Sequence, residues 1–241
     1  MPAIKTVNLT KKYKDVVAVE RLNLQIEKGE LFALLGVNGA GKTTVIKMLS
    51  CLATPTEGEA FVGGSSIKDE MNVKRIIGVS PQETAVAPNL TVKENLELMC
   101  GIHSLGKEKS KTKIDELSAQ LNLDSVMKRK AGKLSGGWQR RVSIAMALIS
   151  EPEILFLDEP TLGLDVIARS ELWDTIRSLK GKVTIVLTTH YMEEAQELSE
   201  RIGIMKDGRM LIVGTAQELM KKASADTFEK AFIAIVKGAE I

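Results

Sequence analysis

A glycine-rich segment near the N-terminus has the residue types needed to bind phosphate. Residues 36–43 read Gly-Val-Asn-Gly-Ala-Gly-Lys-Thr and fit the pattern G-x-x-x-x-G-K-[ST], between an apolar run and a helical pattern. Glycines let successive backbone N–H groups turn toward phosphate oxygens, and the start of a helix adds its positive dipole end. The lysine can reach the β- and γ-phosphates of a nucleotide, and the hydroxyl after it can bind Mg²⁺. The sequence therefore predicts a phosphate-binding loop made of Gly36, Asn38, Gly39, Ala40, Gly41, Lys42, Thr43 and Thr44.

Two carboxylates follow a second apolar run. Residues 154–159 read Ile-Leu-Phe-Leu-Asp-Glu, so that the run ends in Asp158 and Glu159. In an open α/β sheet, ligands bind at the carboxyl ends of the strands. Apolar runs followed by acidic residues are common in α/β proteins, so this segment gains its meaning from the phosphate loop. Beside that loop, Asp158 is the expected Mg²⁺ partner, and Glu159 is suited to orient or deprotonate an attacking water.

The order of apolar runs and helical patterns predicts the elements that must position these residues. Strand-like runs cover residues 3–9, 16–19, 22–26, 31–35, 59–62, 76–79, 154–157 and 183–187. Helical patterns cover residues 42–52, 166–179 and 193–198, most of residues 91–150 is helical, and residues 202–213 suggest a hairpin around Asp207 and Gly208. We therefore predict an α/β fold in which a mostly parallel sheet with crossover helices is interrupted by a helical insertion of about 60 residues.

Composition and charge narrow the class of protein. The 241 residues include 33 Lys+Arg and 31 Asp+Glu, and a net charge of +2 gives no general reason to expect nucleic acid or an anionic membrane as partner. The apolar runs are far shorter than the roughly 18 to 20 residues that span a bilayer, and the N-terminus lacks a secretory pattern. Cys51 and Cys100 have no metal-ligand spacing and are expected to be buried thiols. These features favour a cytosolic protein without a lipid anchor.

A segment between the phosphate loop and the acidic pair makes the pattern specific. Residues 134–137 read Leu-Ser-Gly-Gly ahead of a basic helix. This segment resembles the signature of ATP-binding-cassette (ABC) ATPases, and the other motifs of that family follow in order, over roughly residues 3–220. The matching residues are Tyr13 for the aromatic that stacks on adenine, Gln82 for the Q-loop, Asp165 for the D-loop and His190 for the switch histidine.

The resemblance implies a role for each matching residue. Glu159 would act as base or water orienter, Lys42 and His190 would steady the γ-phosphate, and Gln82 would join Thr43 and Asp158 in organising Mg²⁺. In the family, two cassettes pair head to tail, and the signature of one closes over the phosphates held by the other. The start of a helix and a hydroxyl suit that contact. The signature residues here are Ser135, Gly136 and Gly137.

Two positions depart from the family pattern. Trp138 follows the two glycines where Gln is common, and Met146 stands where Arg is usual. Both bear on contacts of the signature side and leave the phosphate-facing Ser135 and Gly137 in place. The bulky apolar residue after the glycines, residues 160–165 and the C-terminal tail are similar to the drug- and sodium-exporting branch of the family.

The resemblance also divides the chain. Residues 1–220 are expected to form the ABC ATPase domain, with an N-terminal antiparallel β subdomain, a RecA-like core of residues 1–90 and 151–220, and a helical subdomain of about residues 91–150. Residues 221–241 are expected to form a helical tail, whose helix is predicted to start at Asp226 with Glu229 as its capping partner. We expect its apolar face to pack on its own domain, with a partner contact as the alternative. That face comprises Phe228, Ala231, Phe232, Ile235 and Val236.

Together these features predict a Mg²⁺-dependent ATPase subunit of an ABC transporter, by resemblance an exporter. It would bind ATP, dimerise with a second cassette and act on a separate integral membrane permease, which would hold it at the cytoplasmic face of the cell membrane. Residues 83–90 are the candidate permease contact. The alternative is a soluble ABC ATPase that moves no solute, for example in cluster assembly or translation. A small-molecule kinase would leave residues 134–137 and His190 unexplained.

Overall fold

Two β-sheets and their covering helices make up the computed structural model, which describes residues 1–238. The strands are β1 (Ile4–Tyr13), β2 (Val16–Ile26), β3 (Leu31–Gly36), β4 (Glu57–Val62), β5 (Ser65–Ser66), β6 (Ile77–Ser80), β7 (Ile154–Asp158), β8 (Thr184–Thr189), β9 (Arg201–Lys206) and β10 (Arg209–Gly214). The helices are α1 (Lys42–Leu49), α2 (Glu70–Ile76), α3 (Val92–Ile102), α4 (Lys107–Gln120), α5 (Gly136–Leu148), α6 (Val166–Arg177), α7 (Met192–Leu198), α8 (Ala216–Lys222) and α9 (Phe228–Lys237). Two short 3₁₀ turns, Asp124–Val126 and Ala131–Lys133, lie between α4 and α5.

The larger sheet brings the predicted site residues to one edge. Its strand order is β10-β9-β3-β8-β7-β6, and every neighbouring pair is parallel except β9 with β10. All residues of β3, β7 and β8 are buried, as expected for parallel strands covered on both faces. Their carboxyl ends therefore meet where β3 enters the glycine-rich loop, β7 ends at Asp158 and β8 leads to His190. The predicted α/β fold with a mostly parallel sheet is confirmed.

The smaller sheet is antiparallel, with the order β2-β1-β4-β5. The sequence pattern divided its second strand into residues 16–19 and 22–26, but β2 is continuous, and β1 extends to Tyr13. At Arg21 the backbone takes a left-handed φ of 45°, and the Arg21 N–H donates to Thr10 Oγ1 at 3.0 Å. This irregularity shifts the alternation of buried side chains by one residue, which made one strand look like two.

The helical region predicted for about residues 91–150 contains α3, α4 and α5. A capping box starts α3: Thr91 Oγ1 accepts from the Glu94 N–H, and the Glu94 carboxylate accepts from the Thr91 N–H. Ten of the thirteen residues of α5 are buried, because this helix packs against α3, α4, α6 and strands of the larger sheet. The signature helix α5 therefore connects the helical region to the sheet that carries the site.

Two helices were missed by the sequence analysis, α8 and the short α2. Residues 76–79 were predicted as a strand, but Ile76 ends α2, and β6 begins one residue later. Asp69 caps α2 by accepting a hydrogen bond from the Asn72 N–H. Of the seven residues in α2, Val73 is the buried one. So short a helix with one buried residue leaves no apolar periodicity to detect.

The tail helix α9 packs on its own domain, against α7, α8 and β9. Phe228, Phe232 and Ile235 join the same apolar core as the larger sheet. The predicted capping residue of this helix is wrong. Thr227 precedes the first helical residue, and its Oγ1 accepts a hydrogen bond from the Lys230 N–H at 3.3 Å. Asp226 lies one residue too early to cap and pairs with the Lys230 side chain. Residues 239–241 of the predicted tail lie outside the described residues.

The two cysteines are free thiols. Cys100 on α3 is buried, as expected, whereas Cys51 is half-buried because it follows α1 with a left-handed φ of 58° near the surface. Within residues 1–238, no helix combines the length and the apolar character needed to cross a bilayer.

Candidate active site

An open cleft of about 660 Å³ lies at the carboxyl edge of β3, β7 and β8. It brings together segments that are far apart in the sequence. Residues 16–18 of β2 form one wall, and the glycine-rich loop forms the floor. The predicted site residues that line the cleft are Asn38, Gly39, Ala40, Gly41, Lys42, Thr43, Thr44, Gln82, Glu159 and His190.

The glycine-rich loop has a backbone that only glycine accommodates at its key turn. Gly41 has a φ of 100°, and a Cβ there would collide with the carbonyl oxygen of Ala18. Gly36 is equally confined, because a Cβ would collide with the Met205 carbonyl. α1 starts directly after Gly41, so its first N–H groups face the cleft with a positive dipole end. The loop therefore has the geometry of an anion cradle.

Three titratable side chains converge in the cleft around Glu159. Lys42 Nζ lies 3.1 Å from Glu159 Oε1, and His190 Nδ1 lies 2.7 Å from Glu159 Oε2. The Lys42 and Glu159 side chains are only 6% and 7% exposed. Lys42 Nζ also donates to the Gly36 carbonyl at 2.8 Å. The lysine and the histidine are thus both held on the carboxylate that the sequence analysis assigned to water activation.

The backbone of Glu159 is fixed in an unusual conformation. Its φ is 48°, in the left-handed region that glutamate rarely adopts. The Glu159 N–H donates to both the carbonyl and the hydroxyl oxygen of Thr188, at 3.1 Å and 3.0 Å. These bonds hold the turn after β7 so that the carboxylate points into the cleft. Strained backbone of this kind is concentrated at functional sites.

Asp158 supplies oxygen ligands beside the cradle. Thr43 Oγ1 and Thr188 Oγ1 both donate to Asp158 Oδ1, at 3.1 Å and 2.5 Å. A threonine hydroxyl, a carboxylate and the nearby Gln82 amide are hard oxygen donors of the kind that Mg²⁺ prefers. The residues present therefore fit a magnesium ion.

The signature residues lie outside this cleft. Ser135 and Gly136 are exposed at the start of α5, and Gly137 is buried beneath them. The exposed Asp165 caps α6 next to them, by accepting from the Ala168 N–H at 2.9 Å. The two segments are in contact, since a Cβ on Gly137 would lie 3.1 Å from Ala168 Cβ. They form a second polar surface that is separate from the phosphate loop of the same chain.

Tyr13 is also outside the set of residues that line the cleft. Its side chain is exposed, and Lys11 Nζ lies 4.8 Å from the centre of its ring. The neighbouring residues 16–18 do line the cleft. The role of Tyr13 in adenine stacking stays a prediction.

Trp138 and Met146, the two residues that depart from the family pattern, both pack against residues of this chain. Trp138 is half-buried, with the Arg141 guanidinium 4.8 Å from its ring centre, and Arg141 also pairs with Glu171 on α6 at 2.5 Å. Met146 is buried in the apolar core, where a charged side chain would need a partner. Both residues pack within this chain and leave Ser135 exposed.

Sequence reasoning missed Thr188, Arg140 and Glu194. Thr188 is paired in register with Asp158, so only the strand alignment shows that its hydroxyl supports the site. Arg140 donates to the carbonyl oxygens of Pro81 and Gln82 at 2.5 Å and 2.6 Å. A polar residue inside an apolar strand and a second arginine in the signature helix were the available signals.

Glu194 on α7 is fully buried behind the site. Its Oε1 accepts from Trp173 Nε1 at 3.1 Å. Its Oε2 and the hydroxyl of the buried Thr161 have no hydrogen-bond partner among the described residues. Burial raises the pKa of the Glu194 carboxyl above its ordinary value, because the charged form loses its hydration.

Glu194→Gln should make the protein more stable at alkaline pH. Because the raised pKa is that of the folded state, the folded protein binds more protons than the unfolded one, and stability falls as pH rises. The amide keeps the oxygen that accepts from Trp173 and has no charge to bury. We expect a gain of about 1 kcal/mol at pH 9 and a flatter pH dependence. Denaturant unfolding between pH 4 and 9 measures both, because the fall in stability begins at the ordinary pKa of a glutamate, 4.5. The exposed neighbour Glu193→Gln is the control, and an unchanged slope in Glu194→Gln would refute this account.

Known proteins that are similar to this chain identify its family. The family model described as ABC transporter matches residues 19–162. The daunorubicin resistance ATP-binding protein DrrA3 of Streptomyces coeruleorubidus is 40% identical over 229 residues, which cover 94% of this chain and 72% of that protein. The probable multidrug ABC transporter ATP-binding protein YbhF of Escherichia coli (strain K12) is 38% identical over 240 residues, or 97% of this chain, which spans only 41% of YbhF.

A solved structure shares the fold with its nucleotide in place. The ATP-binding cassette MJ0796, as a dimer in a post-hydrolysis state bound to ADP and Pi, has a TM-score of 0.79 and 32% sequence identity, and covers 88% of this chain and 98% of its own. The cassette fold expected from the sequence is thereby confirmed. Since the family model matches more than half of its length and a relative at 40% identity is covered over most of its own, the chain belongs to the ABC transporter family, as one of its ATP-hydrolysing cassettes.

Proposed function

We propose that this ABC ATPase powers the export of hydrophobic, drug-like compounds through a separate membrane permease. The observation that carries the ATPase mechanism is the buried Glu159, held between Lys42 and His190 at the rim of the phosphate loop. The proposal of export rests on similarity to relatives named for daunorubicin resistance and for multidrug transport. No observation on this chain favours the alternative of an ABC ATPase that moves no solute.

The contacts of the cleft suggest how its residues act on ATP. The γ-phosphate would compete for Lys42 and His190, which contact the two oxygens of Glu159. Once they turn to the phosphate, the carboxylate can accept a hydrogen bond from the attacking water. The water oxygen bonds to the γ-phosphorus, the bond to the β-phosphate oxygen breaks, and Glu159 accepts the proton. Tyr13 is the proposed stacking partner of the adenine.

Magnesium would be held by Thr43, Asp158 and Gln82. When bound, Mg²⁺ neutralises charge on the β- and γ-phosphates. The Thr188 hydroxyl, which donates to Asp158 Oδ1, leaves the second carboxylate oxygen for the metal side. The protein thus orients the carboxylate through a threonine on the adjacent strand.

The second polar surface, formed by the start of α5 and by Asp165, is suited to contact a partner cassette. Ser135, Gly136 and Asp165 are exposed away from the cleft of their own chain. Beside them, Val166 and Ile167 at the start of α6 are 71% and 74% exposed. Adjacent exposed apolar residues at such a surface are typical of a contact site. We propose that a second cassette presents its nucleotide here, so that ATP lies between the two chains.

A groove between the helical region and the larger sheet is the proposed binding site for the permease. It has a volume of about 370 Å³ and lies between β6, α3 and α5, next to residues 83–90. Leu52, Met99 and Met146 give it an apolar lining, and Leu52 is 66% exposed. An amphipathic segment of a membrane protein fits such a groove. The chain would then lie at the inner face of the membrane through its permease.

Co-purification from detergent-solubilised membranes tests the partnership. The tagged chain is expressed with its genomic neighbours, and its partners are identified by mass spectrometry. We expect a multi-span membrane protein to be retained by the wild type and lost by Leu52→Asp. Met71→Asp, on an exposed residue of α2 outside the groove, is the matched control and should retain it. Recovery of soluble partners alone would support the non-transport alternative.

Substrate and direction are tested in proteoliposomes. The chain is reconstituted with the recovered permease, and the transport of a fluorescent anthracycline is followed. ATP added on the cassette side should drive the compound to the opposite side. Movement toward the cassette side would contradict export, and no effect of the compound on either transport or ATP turnover would contradict this substrate class.

A further inference from the structure

Arg140 is a buried cation on the signature helix α5 with an unusual set of partners. It is 5% exposed, and within residues 1–238 it forms no salt bridge with a carboxylate. Its Nη1 and Nη2 instead donate to two successive main-chain carbonyls, those of Pro81 and Gln82. A buried guanidinium without a paired carboxylate is costly, so its hydrogen bonds to the backbone must fix both partners firmly.

The segment that Arg140 holds is the start of the Q-loop. Residues 81–86 belong to no helix or strand, although they follow directly on β6. A second, weaker tie runs from the same helix, since Thr84 Oγ1 and Gln139 Oε1 lie 3.5 Å apart. The position of Gln82 therefore depends on α5 more than on the sheet. The planar guanidinium of arginine can donate to two successive carbonyls at once. The ammonium group of lysine is less suited to this, because it is a compact charge without that fixed geometry.

We propose that Arg140 is a positioning residue that locks Gln82 to the signature helix. Ser135 lies about one and a half helical turns from Arg140 at the exposed start of α5, and Gln82 lines the cleft of the same chain. The lock keeps a fixed separation between the group that meets this chain's own nucleotide and the group that meets the partner's. The signature of this chain would contact the nucleotide bound to the other cassette. Because Arg140 ties Gln82 to the same helix, a shift of α5 caused by that contact would also move Gln82 at the metal-binding side of this chain's own cleft. The inference rests on the proposed function in assigning Gln82 to the metal.

Backbone relaxation by nuclear magnetic resonance on the full chain tests the lock without nucleotide. In Arg140→Lys, the N–H order parameters of residues 82–87 should fall from about 0.85 to below about 0.6, because one or both charge-assisted bonds to the loop are lost. The order parameters of α1 should be unchanged. Arg141→Lys is the matched control, since Arg141 is the adjacent buried arginine of α5 but binds Glu171 on α6. Unchanged order parameters of residues 82–87 in Arg140→Lys would overturn the proposal.

A double-mutant cycle then asks whether Arg140 acts through Gln82. Manganese affinity in the presence of ADP, read by electron paramagnetic resonance, should fall about tenfold in Arg140→Lys and in Gln82→Ala, and no further in the double variant. Losses that multiply in the double variant would refute the connection. If the wild type itself fails to bind manganese with ADP, the proposed metal role of Gln82 fails, while the order parameters of residues 82–87 still decide whether Arg140 holds the loop. Thermal unfolding of Arg140→Lys checks that the fold is intact.

Discussion

Glu159→Gln should lower the rate of ATP hydrolysis by about 10²- to 10⁴-fold, because it removes the group that accepts the proton of the attacking water. The amide has the same shape as the carboxylate, so the turn after β7 should be preserved. That turn is fixed by main-chain bonds from the Glu159 N–H to Thr188, which the substitution does not touch. The loss should therefore appear in the chemical step and not in folding.

The same substitution should leave ATP binding intact or strengthen it. Glu159 holds Lys42 and His190 at 3.1 Å and 2.7 Å. An amide holds a cation less strongly than a carboxylate does, so both groups are released toward the phosphate. Removing the negative charge also removes its repulsion of the triphosphate in a site that is largely shielded from water. Bound but unhydrolysed ATP should then accumulate in a dimer of cassettes.

Three measurements on purified protein check this expectation. Single-turnover hydrolysis gives the rate of the chemical step, calorimetry gives ATP affinity, and size-exclusion chromatography with light scattering gives the ATP-dependent dimer. Glu197→Gln serves as the control, because this exposed carboxylate on α7 pairs with Arg177 far from the phosphate loop. A rate within about twofold of the wild type, when general bases contribute a hundredfold or more, would remove Glu159 from this role.

Much of the cleft was predictable because its parts follow local rules. The glycine-rich loop and the Asp158–Glu159 pair each stand at the end of an apolar run, and parallel strands bring such ends together. His190 follows β8 in the same way. Pattern and spacing were sufficient for these residues, since the contacts are created by the strand order β3-β8-β7 itself.

The residues that hold the site residues in place, such as Thr188 and Arg140, were not predictable. Their partners depend on strand register and on how α5 packs against the segment after β6. The Thr188 hydroxyl meets Asp158 only when β7 and β8 pair in one alignment. Arg140 reaches the Gln82 carbonyl across 58 residues of sequence. The left-handed turns at Arg21 and Glu159 have no glycine to indicate them. Ser135 lies exposed outside the cleft of its own chain, so no pattern within one chain could place it there.

Lys42→Ala should weaken nucleotide binding by about 10- to 100-fold, because it removes charge-assisted bonds to the β- and γ-phosphates. The structure adds a second effect in the absence of nucleotide. Lys42 is the cation paired with Glu159 Oε1 inside the cleft, where the two side chains are 6% and 7% exposed. Removing one partner of a buried ion pair costs about 3 to 5 kcal/mol, because the other charge is left without compensation. His190, which contacts the other carboxylate oxygen, would offset part of that loss.

The double variant Lys42→Ala/Glu159→Gln separates the two effects. It should regain most of the stability lost in Lys42→Ala, since no uncompensated carboxylate is left in the cleft, but it should not regain nucleotide affinity. Urea unfolding without nucleotide and ADP titration by calorimetry measure the two quantities independently. Lys47→Ala, at an exposed position of α1, controls for the loss of a lysine from the same helix. Equal stability of Lys42→Ala and the wild type would mean that the ion pair contributes nothing to the empty cleft. Unchanged ADP affinity in Lys42→Ala would instead contradict the assignment of Lys42 to the phosphates, because the backbone N–H groups of the loop alone would then account for binding.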